Sequence, residues 1–308
     1  MKLLLCIGGE VFSKATVRLA VEFAARLQAD LSILYVGSPI TQFHQKEVQL
    51  AKEKLAQWMI ETPEMRVLNS ALDILREMNF LRLDEQGQLN IRHGFKPEVS
   101  GAFEFHLYGS HGENVRFRYR EGEIVDNIRN ETEQVHYDLV FVGASQKRRL
   151  VHRIVTFVSC NTMIIKTGAA RPDKFLLCVK RSKASRSAAW FTIQIAQRLR
   201  MPIQILATTR FPAKVPRLKV LADRYKKVCE KYQIPCSSVV RVGGVEETIQ
   251  QLATPQHLVV MGPSRVNELM QYFFGSLPVK ISQKVNASVL VVKEESKEEL
   301  KSLLQKHA

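Results

Sequence analysis

No apolar run in these 308 residues approaches the ~20 that a membrane-spanning helix needs, so no helical span is expected. Met1 to Ile7 is apolar but too short for a signal peptide. Gly8-Gly9-Glu10 and an amphipathic stretch follow it, so it is read as a first strand. Cysteine is scarce. The five residues, Cys6, Cys160, Cys178, Cys229 and Cys236, are odd in number and hold no CxxC pair. That argues against a disulfide framework and for reduced thiols in a cytoplasmic protein. There is no Walker-type loop and no readable Ser-His-Asp or Cys-His arrangement, so catalysis is unsupported and the chain is expected not to be an enzyme. Acid is short relative to base: 30 Asp/Glu against 45 Lys/Arg, a net charge of +15. Residues 1–171 hold 22 Lys/Arg and 20 Asp/Glu, whereas residues 172–308 hold 23 and 10. The excess therefore lies in the second half. It points either to an anionic partner (nucleotide, nucleic acid or acidic protein) or to a solvated basic surface.

What the chain does contain is a repeat. Lys2-Leu3-Leu4-Leu5-Cys6-Ile7 is echoed by Lys174-Phe175-Leu176-Leu177-Cys178-Val179. Each run is followed by an amphipathic helix, Ser13 to Leu27 and Ser185 to Leu199, and then by a strand, Leu31 to Val36 and Ile203 to Ala207. The halves end alike too: Asp138 to Gly143 matches His257 to Gly262, and Thr162 to Lys166 matches Ser288 to Lys293. Alternating strands and helices imply βαβ units and parallel sheets. The second half adds a helix around Val215 to Tyr232, a strand Ser237 to Val242 and a helix Val245 to Leu252, five strands in all. The expected domains are residues 1–168 and 174–293, with a charged tail at 294–308. The first carries a β-rich insertion at about 81–115, and Asn114 to Arg120 is expected to supply its third parallel strand.

The second half also holds the strongest motif. Gly262 ends an apolar strand, and Gly275-Ser276 precede a helix from Leu277 to Val285. Glycine at a strand's carboxyl end and Gly-Ser at a helix N-terminus can cradle phosphate with backbone N–H groups, a hydroxyl and the helix dipole. The alternative reading of Gly275-Ser276 is a helix N-cap. The stretch resembles the phosphate loop of the universal stress protein family: Gly, two residues, Gly, nine residues, Gly, then Ser or Thr. The outer positions match; the middle glycine is Arg265. The resemblance implies two tandem α/β domains, each an open five-stranded parallel sheet of the adenine-nucleotide-hydrolase-like type. It also implies that the domains pair through edge strands (Ile164-Ile165 and Val289 to Val292) as an intramolecular pseudo-dimer.

By that resemblance the protein is a cytoplasmic stress-response or regulatory protein, able to bind an adenine nucleotide, ATP or AMP, in its second domain only. The site would comprise Gly262, Arg265, Gly275, Ser276 and Leu277, with Lys180 and Arg181 after the first strand and the Ala207 backbone after the second. The family's usual Asp after the first strand is Lys180 in one half and Gly8 in the other. Two readings fit: a re-tuned anion site in which cations replace part of the glycine cradle, or a degenerate site with solvated cations. The first domain has lost its loop, because Gly143 leads through Ala144 to Arg149 into a helix with no later Gly-Ser. A protein-interaction module with no small ligand, docking an unidentified partner on the inserted arm, is the alternative. Nucleic acid is disfavoured, since Arg116 to Arg120 alternates like a sheet strand and not like a stacking platform. The basic run Lys147 to Arg149, with His152 and Arg153, reads as a solvated helix face. His93, His106 and His111 show no coordinating spacing, so no metal is expected. Asp126, Glu131 and Glu133 have no partner base or nucleophile visible in the sequence.

Overall fold

The computed structural model describes residues 1–8, 13–37, 63–86, 89, 93–97, 103–144, 148–166, 168, 170–263 and 277–293. The chain divides into two compact units, Met1–Cys160 and Asn161–Ala308.

The first unit is built on β1 (Lys2–Gly8), α1 (Lys14–Leu27), β2 (Asp30–Gly37), α2 (Pro63–Glu77), β3 (His93–Pro97), β4 (Phe103–Tyr108), β5 (Asn114–Glu121), α3 (Ile124–Gln134), β6 (Leu139–Gly143) and α4 (Arg148–Phe157). Its strands run in the order β6-β1-β2-β5-β4-β3. The first four are parallel, and β4 lies antiparallel to both β5 and β3. Leu3, Leu4 and Leu5 are wholly buried, as a continuous apolar run in a parallel strand requires. Val17, Ala20, Val21, Ala24 and Leu27 form the apolar stripe of α1, which Ser13 caps by accepting from the Thr16 N–H. As expected, the insertion is β-rich and Asn114–Glu121 supplies the third parallel strand, with Ile33 opposite Phe117. Between β2 and β3 the described helix is α2, and residues 38–62 lie outside the described residues.

Arg118 of β5 points into this unit and is almost fully buried, as is Glu131 of α3. One guanidinium nitrogen, Nη1, donates to both Glu131 oxygens at 2.5 and 2.6 Å, and Nε lies 2.7 Å from Glu104 Oε2 on β4. Tyr137 donates to Glu131 Oε1 at 2.6 Å, and His106 Nε2 stands 2.5 Å from Glu104 Oε1. A buried and a half-buried carboxylate against one buried guanidinium are tolerated only when paired in this way. Glu131 is thus paired with Arg118 and Tyr137, and Glu133 with Arg129 at 2.8 Å.

The second unit comprises β7 (Asn161–Ile165), β8 (Lys174–Val179), α5 (Lys183–Leu199), β9 (Ile203–Thr209), α6 (Val215–Lys231), β10 (Cys236–Val242), α7 (Val245–Leu252), β11 (His257–Met261), α8 (Leu277–Lys284) and β12 (Ser288–Val291). The strand order is β10-β9-β8-β11-β12-β7. The first five are mutually parallel, whereas β7 runs antiparallel to β12, with Ile164 opposite Val289 and Thr162 opposite Val291. By its place in the repeat β7 closes the first half, yet the compact unit that holds it is the second. Side chains bracket its ladder: Lys166 N–H donates to Ser288 Oγ at 3.2 Å and Lys293 N–H to Asn161 Oδ1 at 2.9 Å.

The halves also share a detail invisible in the pattern of apolar residues. α1 ends at Gln28 with φ 48°, and α5 ends at Arg200 with φ 53°, both left-handed caps on a non-glycine residue. The spacing from Gln28 to Arg200 is that from Lys2 to Lys174 and from Leu31 to Ile203.

Candidate functional site

Numbered within the second unit, the parallel strands β10-β9-β8-β11-β12 follow the order 3-2-1-4-5. The order reverses between β8 and β11, and in open α/β sheets the crevice for a ligand lies outside the carboxyl ends at that point. Lys180 leaves β8 there and Gly262 leaves β11. The two loops are tied to the same helix start. The Lys180 N–H donates to Ser185 Oγ at 2.9 Å, and the Ser185 N–H donates to Ser182 Oγ at 3.1 Å, making Ser182 the N-cap of α5. A Cβ at Gly262 would sit 2.7 Å from Ala184 Cβ and 2.9 Å from the Ala184 carbonyl, so glycine is required for β11 to pass the first turn of α5. That close approach is a packing reason for Gly262, and it brings the β11 loop to the positive end of a helix.

Electrostatics at this end run one way. Lys180, Arg181 and Arg186 are exposed and Lys183 is partly buried, and the first turn of α5 holds no acidic residue. Cations beside a helix N-terminus oppose its dipole, each by a few tenths of a kcal/mol at the exposed surface. The arrangement costs stability unless an anion offsets it.

Among the residues expected at the site, Lys180, Arg181 and Gly262 meet around the start of α5. Leu277 is the first residue of α8, half-buried. Arg265, Gly275 and Ser276 lie outside the described residues. Ala207 is placed differently from the expectation. β9 continues past it to Thr209 because Thr208 and Thr209 pair with Arg241 and Val242 of β10. Ala207 is thus wholly buried within the strand, opposite Val179 on one side and Val240 on the other, and Thr209 ends β9. Sequence reasoning began α5 at Ser185 and missed the roles of Ser182 and Ser185 in closing the loop. The Ser-x-x-Ser spacing ahead of an apolar run was the available signal.

Among the described residues the first unit does not repeat this construction. Residues 144–147 alone separate β6 from α4, against 262–276 between β11 and α8. Gly8, at the position of Lys180, lies 3.2 Å from the Val36 carbonyl when given a Cβ, so a side chain there is resisted by the backbone of β2. Arg153 from the basic helix is engaged, donating to Glu123 Oε1 at 2.7 Å. His106 sits against Glu104, and His111 Nδ1 is 3.5 Å from Glu113 Oε1. Among the described residues no group of three His, Cys, Asp or Glu side chains could hold a metal ion. No helix among them is long and apolar enough to cross a membrane.

A doubly wound α/β sheet with basic loops at its switch point is thus the class that fold and site define. The family model of the universal stress proteins matches residues 1–161, more than half of the sequence. The chain belongs to the universal stress protein family. Among solved structures, a universal stress protein from Archaeoglobus fulgidus DSM 4304 superposes with a TM-score of 0.62 at 12% identity, covering 95% of this chain and 98% of its own. The cytoplasmic domain of a prokaryotic cation chloride cotransporter gives 0.51 at 8% identity, covering 98% of each chain. Both likenesses concern the fold alone. A universal stress protein in complex with cAMP covers 41% of this chain at 18% identity with a TM-score of 0.36, too low to bear on ligands here. No curated protein matches the sequence. Members of this family are in general not enzymes, and membership supports a stress-response protein.

Proposed function

We propose that the protein is a stress-response regulator that binds an adenine nucleotide, ATP or AMP, in its second unit only. The observation that carries this reading is the crowding of Lys180, Arg181, Lys183 and Arg186 around the N-terminus of α5 beside Gly262, with no acid in the first turn. Such an arrangement favours a phosphate group. In this reading Gly262, Arg265, Gly275, Ser276 and Leu277 surround the phosphates, Lys180 and Arg181 supply charge, and the backbone at Ala207 and beyond faces the base. The test is to denature freshly purified protein and to analyse the released small molecules by chromatography and mass spectrometry. Stoichiometric adenine nucleotide, lost in Gly275→Asp, is the expected result. An empty protein with no thermal shift on adding ATP or AMP sinks the reading.

A second reading, a protein-interaction module, has its own support in the inserted arm. Its strand β4 pairs antiparallel with β5, and Arg118 Nε lies 2.7 Å from Glu104 Oε2. We also propose that the halves are duplicated copies paired within one chain, which the antiparallel β7–β12 ladder supports because β7 closes the first copy by sequence. Protein nicked in 167–173 should then elute as one species on gel filtration; separation of the fragments would refute the pairing.

A further inference from the structure

Large apolar side chains are unevenly exposed. Among the described residues six are well exposed, and four of these fall within residues 211–242: Phe211 at 60%, Val220 and Val242 at 54% and Val228 at 37%. Single exposed valines are ordinary; here they share one region with a row of cations. α6 lies at the margin of the second unit, packed on the outermost strand β10 and its neighbour β9. Its buried residues, Ala222 and Cys229, mark the face turned to the sheet. At about 3.6 residues per turn, Arg217, Val220, Arg224, Lys227, Val228 and Lys231 fall within an arc of about 100° on the opposite side. All six are exposed. The arc runs for about 20 Å along the helix and contains no acidic residue. The acids of α6, Asp223 and Glu230, lie on one flank, where Glu230 is 3.9 Å from Lys226. The stripe widens at its N-terminal end. Val242 pairs with Thr209 at the end of the sheet from which Arg210 and Phe211 leave, and Lys214 Nζ stands 4.5 Å from the centre of the Phe211 ring. Exposed apolar groups set among cations thus continue from the ends of β9 and β10 onto the outer face of α6.

We propose that this face docks side-on against an anionic lipid surface, with Arg217, Arg224, Lys227 and Lys231 on the headgroups and Phe211, Val220 and Val228 entering the boundary beneath them. The attachment is peripheral, since no described helix is long and apolar enough to cross a bilayer. Charge complementarity selects an anionic partner: the stripe holds four cations, and residues 172–308 carry 23 Lys/Arg against 10 Asp/Glu. The apolar side chains select its class. A nucleic-acid backbone engages cations but gives exposed valines no apolar phase to enter, whereas a bilayer surface receives both. The proposal is independent of the nucleotide reading, because none of these residues belongs to that site.

The experiment sediments the full-length protein with vesicles of phosphatidylcholine containing about a third phosphatidylserine, and with vesicles of phosphatidylcholine alone, at about 0.1 M salt. Binding to the anionic vesicles only, weakened by added salt, is the expected result. Lys227→Glu with Lys231→Glu should lower the affinity at least about twenty-fold, since each cation near such a surface contributes about five-fold. Phe211→Ser with Val228→Ser leaves the charge unchanged and should lower it about ten-fold. Arg66→Glu with Arg76→Glu, at exposed positions of α2 in the first unit, makes the same change in net charge and should leave most of the binding in place. Every substituted side chain is exposed, so the variants should melt as the unaltered protein does. Equal affinity for the two vesicles, or none for either, would overturn the proposal, as would equal losses in the α6 and α2 variants. Binding that responds to charge reversal on α6 but not to Phe211 and Val228 would assign the face to a polyanion such as nucleic acid and overturn it as well.

Discussion

Gly262 and Gly143 occupy matching places in the repeat, at the ends of β11 and β6, yet their surroundings differ. A methyl group at Gly262 would press on Ala184 at 2.7 Å, whereas at Gly143 the nearest atom, Thr16 Oγ1, is an ordinary 3.6 Å away. Gly262→Ala should therefore destabilise the protein by about 1–3 kcal/mol through overpacking. Gly143→Ala should be neutral to within about 1 kcal/mol. Urea denaturation of both variants checks this, and equal midpoints would contradict it. A second residue-scale effect follows from Glu104. Burial alone would raise its pKa, but Arg118 and His106 outweigh burial and hold the carboxyl below its ordinary value. A depressed folded pKa means that its stabilisation is complete above the unfolded value, about 4.3. It is then lost as pH falls through the lower folded value. Glu104→Gln should lower stability near pH 7 and flatten the loss between about pH 5 and 3. An unchanged acid limb in urea melts would show that the Glu104–Arg118 pair contributes no linkage.

Between elements, the decisive contact in the first unit is Arg118 with Glu131, which joins β5 to α3. Glu131→Ala leaves a buried guanidinium short of a partner and should cost about 3–5 kcal/mol. The double variant Arg118→Met, Glu131→Leu should recover part of that, since removing both charges removes the desolvation cost as well. Additive losses in denaturant melts would refute the coupling. This contact also marks where the sequence ceases to be readable. The alternation Asn114 to Arg120 reveals a strand, and its place as the third parallel strand follows from the repeat. Nothing in it shows that Arg118 turns inward while Arg116 and Arg120 flank it. Glu131 lies on a helix whose charges otherwise suit a solvated face, so its burial depends on partners distant in sequence. Strands β8, β11 and β12 were legible because apolar runs buried on both faces leave an unambiguous pattern. The site was legible only as a location. Gly262 could be read as cradle or as packing, and the 2.7 Å approach to Ala184 supplies the packing reason.

For the molecule as a whole the governing quantity is its charge of +15, most of it in the second half. Exposed Lys214, Arg217, Lys219, Arg224, Lys227 and Lys231 lie along α6 and its approach, and Lys180, Arg181 and Arg186 lie at the start of α5. Described ion pairs in that half are few, among them Lys226–Glu230 at 3.9 Å and Lys284 with Glu246. Repulsion therefore outweighs exposed pairing, which contributes at most about 1 kcal/mol per pair. Added salt should stabilise the protein, because a Debye length of about 10 Å at 0.1 M screens repulsion between neighbouring cations. Thermal melts in sodium chloride should rise by a few degrees between low and moderate ionic strength; a fall would mean that ion pairing dominates. Two contributions can then be separated by the choice of anion. General screening depends on ionic strength alone, so phosphate and chloride at matched ionic strength would act alike. A site at the start of α5 adds binding that grows as the logarithm of phosphate concentration once its Kd is exceeded. Phosphate should therefore raise the melting temperature beyond chloride, and Lys180→Glu with Arg181→Glu should remove the surplus while leaving the chloride response largely in place. Identical curves for the two anions in the unaltered protein would assign the basic residues of this loop to the surface charge alone.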